Sequence, residues 1–457
     1  MDFRNILHNL PEVTKPTEKK LSFNVKLKWT IIILVAFFVM SNIALYGADP
    51  GFLSQFEYLA VIMGTSFGSI ISLGIGPIVM ASIILQLLVG SKILDIDTSS
   101  PEGKKFFQGL QKLLVFFFIV FEALIYVLMG GIKASPGYMW IVILQLILGG
   151  LVILFMDEVC QKWGFGSGVS LFIAAGVGWR LFNAAFGFLG TEGISGGFQA
   201  TGQIWAFIVS IMNADSSGAM LALSAILITI ALFLLVVWAQ ALKIEIPLSY
   251  DRLRGYTMKW PLQFFYASVI PVILVSALVA NLQLFGGLLQ NWLGHPSFLG
   301  EVVNGRAVSG FLFWISSTHI LNAIITGSWT WALLGQTFGH ILFYMLLAAV
   351  FSVFWVKTSG MDASNQARNI LNSGLQIPGF RKDERILESI LSRYVLPLTV
   401  MGGLAIGLLA ALADVSGALV GGTSLLLGTM IIYQFYQNIA QQHAMDMNPA
   451  MKKMMGV

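Results

Sequence analysis

Residues 73–93 read LGIGPIVMASIILQLLVGSKI, and the placing of this stretch in a membrane decides the fold. From 75 to 90 it carries no charged side chain. A helix that crosses a bilayer needs about 20 mostly apolar residues, so this run is short. The residues before it, 53–73, are only moderately apolar and contain Gly64 and Gly68; Gly74, Gly76 and Pro77 follow. Glycine loosens a helix, and proline removes a backbone donor. Broken backbone at membrane depth survives only where protein covers it or where it lines a cavity. The expected arrangement is a half-helix that enters from outside, turns at 74–77 and continues as a span. An ordinary external loop before a short helix is the alternative.

Working outward, ten long apolar runs are found, at about 29–47, 75–90, 110–131, 138–156, 169–188, 219–242, 262–286, 328–356, 395–413 and 418–438. The chain of 457 residues is 57% hydrophobic and 11% charged. Soluble domains average about 45–50% apolar and about 25% charged residues, so a polytopic all-α membrane protein is indicated. The first run follows 28 more polar residues and lacks a small-residue cleavage site, so it is read as a retained span. The segment 308–327 is apolar and aromatic but holds Ser316, Ser317, Thr318, His319 and Asn322, and is placed as an external or re-entrant helix.

Cytoplasmic loops collect Lys and Arg. With the N-terminus inside, 23 of the 26 basic residues fall on the cytoplasmic side, and only Lys133, Arg180 and Arg306 fall outside. Both termini are then cytoplasmic. Ten spans with that topology divide into two halves of five that run in opposite senses. The proposed boundaries are a cytoplasmic segment 1–28, a first half 29–188, an external connection 189–218, a second half 219–438 and a cytoplasmic tail 439–457. One faint internal echo supports the division. Pro77 and Ser82 stand five apart in the second span, as do Pro271 and Ser276 in the seventh.

Several chemistries are absent. The single Cys160 excludes an internal disulfide and a multi-cysteine metal site. No H-E-x-x-H pair and no G-x-x-x-x-G-K-[ST] loop occurs. The sequence Gly166-Ser167-Gly168 resembles a protease turn, but Ser167 at a helix start is more simply an N-cap. Glu122 is the sole carboxylate well inside a run, too small an inventory for an ion-coupled pump. It is read as making a structural hydrogen bond to a neighbouring helix. Two basic loops, 243–261 and 356–394, suit a phosphate-rich or acidic partner; the first carries Arg252 and Arg254, the second Arg381 and Lys382.

Residues 73–93 also resemble the signature of the SecY protein-translocation channels, in their archaeal form. Similar stretches follow in order: DEVCQKWGFGSGVSLFIAAGV at 157–177, IPLSYDRLRG at 246–255, IPVILVSALVANLQLF at 270–285, GFRKDE at 379–384 and GGTSLLLGTMIIYQFY at 421–436. The resemblance covers nearly the whole chain and implies a central pore subunit in the cell (plasma) membrane. Unfolded secretory chains would pass outward through it, and membrane helices would leave sideways into lipid. It implies a plug at about 53–73, hinged at Gly74, Gly76 and Pro77. It implies a ring of six apolar side chains, Ile75, Val79, Val169, Ile173, Ile273 and Leu427, and a lateral gate with Gln86 and Asn281. The implied hinge between the halves is the 189–218 connection. The implied partners are SecE-type and Secβ-type small membrane subunits, the ribosome at Arg252, Arg254, Arg381 and Lys382, signal sequences and nascent chains. No cofactor, metal or catalysis is implied. An inverted-repeat secondary solute transporter is the competing reading, and it would depend on Glu122.

Overall fold

The computed structural model describes residues 10–17, 21–49, 63–91, 93–94, 96, 100–187, 202–250, 257–267, 269–303, 306–318, 320–325, 327–372, 375–376 and 383–447. The first half contains α1 (Phe23–Ser41), α2 (Gly76–Gly90), α3 (Pro101–Leu128), α4 (Met139–Trp163) and α5 (Gly168–Phe186). A short α6 (Gln203–Met212) lies in the connection. The second half contains α7 (Ser216–Gln240), α8 (Ile270–Leu293), α11 (Trp331–Thr358), α13 (Glu384–Val415) and α14 (Gly422–Met447). Short helices α9 (Gly310–Ile315), α10 (Ile320–Ile325) and α12 (Ala363–Asn372) lie between them. Among the described residues, eight helices are long and apolar enough to cross a membrane. The 15-residue α2 and the 26-residue α14, which turns polar toward its end, occupy the other two expected places.

Local sequence sets several helix starts. Ser100 accepts from the Gly103 N–H at 3.1 Å and Pro101 opens α3. Asp215 caps α7 by accepting from Gly218 at 3.1 Å. Asp383 caps α13 by accepting from Arg385 at 2.9 Å. Side-chain acceptors at these positions satisfy amide groups that a helix start leaves unpaired.

Connections that alternating spans would bring to the same side pair with one another. Strand β1 (Ala48–Asp49), after α1, pairs antiparallel with β2 (Lys133–Ala134), after α3. After α7 comes a hairpin of β3 (Lys243–Tyr250) and β4 (Thr257–Gln263). After α11, β7 (Leu375–Gln376) adds to β3 through Ser249–Gln376 and Tyr250–Leu375. Between α8 and α9, β5 (Val302–Val303) pairs with β6 (Arg306–Ala307).

Four expectations are corrected. The seventh span begins at Ile270 rather than 262, because 262–263 end a strand and 264–267 are turns; Leu262, Phe265 and Tyr266 are buried but not helical, and apolarity alone does not separate them from a helix start. The first helix ends at Ser41 rather than 47, and the chain beyond it is bonded to residues 68–70. The stretch 356–394 is not simply a loop, since it contains α12 and the first turns of α13. At 32 residues and about 1.5 Å per residue, α13 exceeds the roughly 30 Å hydrocarbon core. Its first turns therefore project beyond the core, where Leu387 and Leu391 pack with Ala367, Ile370 and Leu262 in a separate small core. Finally, residues 63–75 are a succession of turns and not a half-helix; 53–62 lie outside the described residues.

Candidate functional site: a waist made of helix starts

The six expected ring residues all fall in the first two turns of four helices. Ile75 is the N-cap of α2, and Val79 is the fourth residue of that helix. Ile273 is the fourth residue of α8. Val169 and Ile173 are the second and sixth residues of α5, and Leu427 is the sixth of α14. Five of them are buried in one contiguous apolar cluster, and Val169 packs against it half-buried.

These positions also show the relation between the halves. Pro77 and Pro271 both occupy the second place of their helices, where a proline's missing N–H costs nothing. Val79 and Ile273 are then both fourth, and Ser82 and Ser276 both seventh. Ile173 and Leu427 correspond in the same way in the fifth and tenth spans. The echo of Pro and Ser is thus a correspondence in helix register.

Two carboxylates unassigned from sequence hold α5 and α14. Buried Asp157, near the end of α4, accepts from the Val169 N–H at 3.0 Å through Oδ1, and its Oδ2 accepts from Gln161 at 2.8 Å. Asp414, near the end of α13, accepts from the Thr423 N–H at 2.5 Å through Oδ1, and its Oδ2 accepts from the Thr423 hydroxyl. His340 Nε2 lies 3.6 Å from that oxygen, and its Nδ1 is 2.8 Å from the Ile315 carbonyl. Ser167 accepts from the Ser170 N–H, which gives it the cap position expected for it.

Residues 63–75 pack on the waist. The Ile75 N–H donates to the Met63 carbonyl at 2.8 Å. Gly74 has φ +54°, and a Cβ there would collide with the Met63 carbonyl oxygen. A Cβ on Gly64 would sit 3.4 Å from both Ile75 and Phe172. The segment's polar backbone is satisfied: Ile70 donates to Ile43 at 2.9 Å, Leu45 donates to Gly68 at 2.9 Å, and the Thr65 hydroxyl donates to Ile71 at 2.6 Å. Ile71, Ser72, Leu73 and Ile75 are fully covered, which meets the requirement for irregular backbone at membrane depth.

Gln86 and Asn281 are both buried, on α2 and α8. They are not bonded to each other: the Gln86 carbonyl oxygen and Asn281 Oδ1 have no partner among the described residues. The Asn281 amide instead donates to Ala277 at 2.8 Å within its own helix. Glu122 departs from expectation. Neither of its oxygens has a hydrogen-bond partner among the described residues. Its carboxyl faces the first residue of α2, where a Cβ on Gly76 would stand 3.0 Å from Oε2. A helix start is a favourable place for a carboxylate, and sequence spacing between different helices does not disclose it.

Arg252, Arg254, Arg381 and Lys382 lie outside the described residues. The elements that flank them are described: β3 and β4 on either side of 251–256, and β7 and the start of α13 on either side of 377–382. Tyr266 joins the base of the hairpin to the α11–α12 turn by donating to the Met361 carbonyl at 2.6 Å. Burial first, and the Asp362 charge second, push its phenol up to about 12.

A sequence model of the SecY family matches residues 69–436, and one described as the plug domain of Sec61p matches 35–68. The chain is 43% identical to protein translocase subunit SecY of Methanothermobacter thermautotrophicus, over 99% of this chain and 98% of that one. Identity to the same subunit of Methanocaldococcus jannaschii is 39%, over 98% of each. A solved structure described as a protein conducting channel matches with TM-score 0.83 and 36% identity, over 99% of this chain and 100% of its own. Sec61 in the canine ribosome-channel complex from the endoplasmic reticulum matches with TM-score 0.80, again at 36% identity and the same coverage.

Proposed function

The chain belongs to the SecY family, the pore-forming subunits of the protein-conducting channel, and on that premise we propose that its waist seals the pore and its α2–α8 contact opens sideways. The observation that carries this reading is the convergence of Ile75, Val79, Val169, Ile173, Ile273 and Leu427 on the starts of four helices, with residues 63–75 packed on top. An apolar ring gives a passing polypeptide no hydrogen-bond partner and resists entry of water and ions. Residues 63–73, with the undescribed 53–62, form the plug, hinged at Gly74, Gly76 and Pro77.

Gln86 and Asn281 lie in the lateral gate, where α2 packs beside α8. Gln86 and Asn281 make no hydrogen bond to each other, and even a polar contact between membrane helices contributes only about 0.6–2 kcal/mol. A signal segment gains about 0.3–0.6 kcal/mol for each leucine-like residue that reaches lipid. Ten such residues outweigh one polar contact, so partition into lipid drives the opening. The glutamate-dependent transporter reading has no support among the relatives.

The ribosome docks at Arg252, Arg254, Arg381 and Lys382, in line with the ribosome-channel complex of a relative. SecE-type and Secβ-type subunits complete the assembly in the plasma membrane, with both termini cytoplasmic. Charge reversal at Arg252 and Arg254 should weaken ribosome co-sedimentation more at moderate than at low salt; unchanged binding would return these residues to topology alone. For the ring, Ile75→Ser with Ile273→Ser should raise the resting ion conductance of the reconstituted channel. Unchanged leakage would remove the ring assignment.

A further inference from the structure

We propose that Asp157 and Asp414 are a matched pair of positioning residues, each holding the helix start that carries ring side chains, so that the tightness of the resting seal depends on them. The inference rests on the ring reading above and goes beyond it, because neither aspartate is itself a member of the ring.

The two sites are built alike in opposite halves of the chain. Each aspartate stands near the end of the preceding span, and its Oδ1 accepts the N–H of the second residue of the next one, Val169 in α5 and Thr423 in α14. The ring residues Ile173 and Leu427 follow one turn later, four places beyond the amide that is held. Each helix opens on glycine where the chain crosses the end of its predecessor. A Cβ on Gly168 would lie 2.6 Å from the Asp157 Cα, and one on Gly422 would collide with the Ala413 carbonyl. Each second carboxylate oxygen is also engaged, by the Gln161 amide or by the Thr423 hydroxyl.

The consequence follows from the geometry. The held amide belongs to Val169 itself, so the Asp157 bond fixes a ring residue directly and Ile173 one turn on. In the second half the corresponding position is Thr423, whose hydroxyl is taken by Asp414. A helix start that loses its acceptor frays within the first turn. Fraying there displaces the side chains that close the waist.

Other helices have aspartate caps that carry no ring residue. Asp215 accepts from Gly218 at the start of α7 as an exposed N-cap of its own helix rather than from the preceding span. It supplies the control for a loss of stability without loss of position.

The test is the resting conductance of the full channel complex in planar bilayers, with no translocating chain. Asp157→Ala and Asp414→Ala should each raise it several-fold, approaching the Ile75→Ser, Ile273→Ser channel. Asp157→Asn and Asp414→Asn keep one acceptor of two and should fall between alanine and wild type. If an alanine variant does not assemble, a conductance above wild type in the asparagine variant decides the matter. Asp215→Ala should leave the conductance unchanged. Wild-type conductance in the Asp157 and Asp414 variants, while the serine ring variant leaks, would overturn the inference, as would an equal leak from Asp215→Ala. A tight serine ring variant would instead defeat the ring reading.

Discussion

The Ile75 N–H donates to the Met63 carbonyl at 2.8 Å, so the N-cap of α2 is bonded to the segment that lies over it. Only one residue type fits the turn between them. Gly74 holds φ +54°, and any Cβ would meet the Met63 oxygen and stand 2.8 Å from Thr65 Cβ. In the proposed assignment, ring and plug are therefore joined by a hydrogen bond at Ile75.

Gly74→Val should release that unit. A left-handed conformation costs an L-residue about 1–2 kcal/mol before the collision with Met63 is added. Roughly a tenfold shift toward the displaced plug follows, since about 1.4 kcal/mol is a factor of ten. Cysteines placed at Met63 should become accessible to an external thiol reagent faster in Gly74→Val than in wild type. An unchanged labelling rate would show that the turn does not hold the plug.

The gate makes a prediction about signal sequences. Asn281 Oδ1 is buried without a partner among the described residues, and such a group costs about 1–3 kcal/mol. Asn281→Leu removes that cost in the closed state. The closed gate should be stabilised by about 1 kcal/mol, equivalent to two or three extra leucines at about 0.3–0.6 kcal/mol each. Export of a reporter with a graded leucine series should then need a more hydrophobic signal. A threshold that stays put or falls would remove Asn281 from the gate.

The N-terminal segment makes a pH prediction. Glu12 bonds Lys162 at 2.5 Å, the Val13 N–H donates to Glu158 at 3.0 Å, and the Trp163 indole donates to the Thr14 carbonyl at 3.0 Å. The Lys162 hydrogen bond holds the Glu12 carboxyl below its ordinary 4.5. A carboxylate whose pKa is depressed by docking contributes fully above its free value and loses the contribution as pH falls through the docked value. Residues 10–17 should therefore resist proteolysis at neutral pH and become sensitive below about 4.5. Lys162→Gln should make them sensitive at neutral pH. Equal cleavage of wild type and variant at both pH values would contradict the docking.

Much of this was legible in the sequence, for identifiable reasons. Apolar runs reveal the long helices because lipid imposes a length rule on every segment that crosses it. The register of Pro77 with Pro271 is visible because proline is tolerated at few helix positions. What stayed hidden depends on contacts between distant segments. Asp157 and Asp414 look like ordinary charges at span ends until the next helix start is seen beside them. The hairpin at 243–263 is not visible in the sequence because its pairing joins residues up to 20 apart without a clear alternating pattern, and the apolar residues after it run on into the helix. The turns at 63–73 are not legible as such because burial there comes from residues 43–45, α4 and α5 rather than from their own periodicity.

The central claim is that a polypeptide passes through the waist. The most direct measurement crosslinks a stalled nascent chain carrying one cysteine to Val79→Cys or Ile273→Cys in the assembled channel. Native Cys160 is buried and stays silent. Leu234→Cys, on an exposed face of α7, is the control. Crosslinks at 79 and 273 that appear only with the stalled chain, and none at 234, are the expected result. Absence of crosslinks at both waist positions, or equal yield at 234, would contradict it.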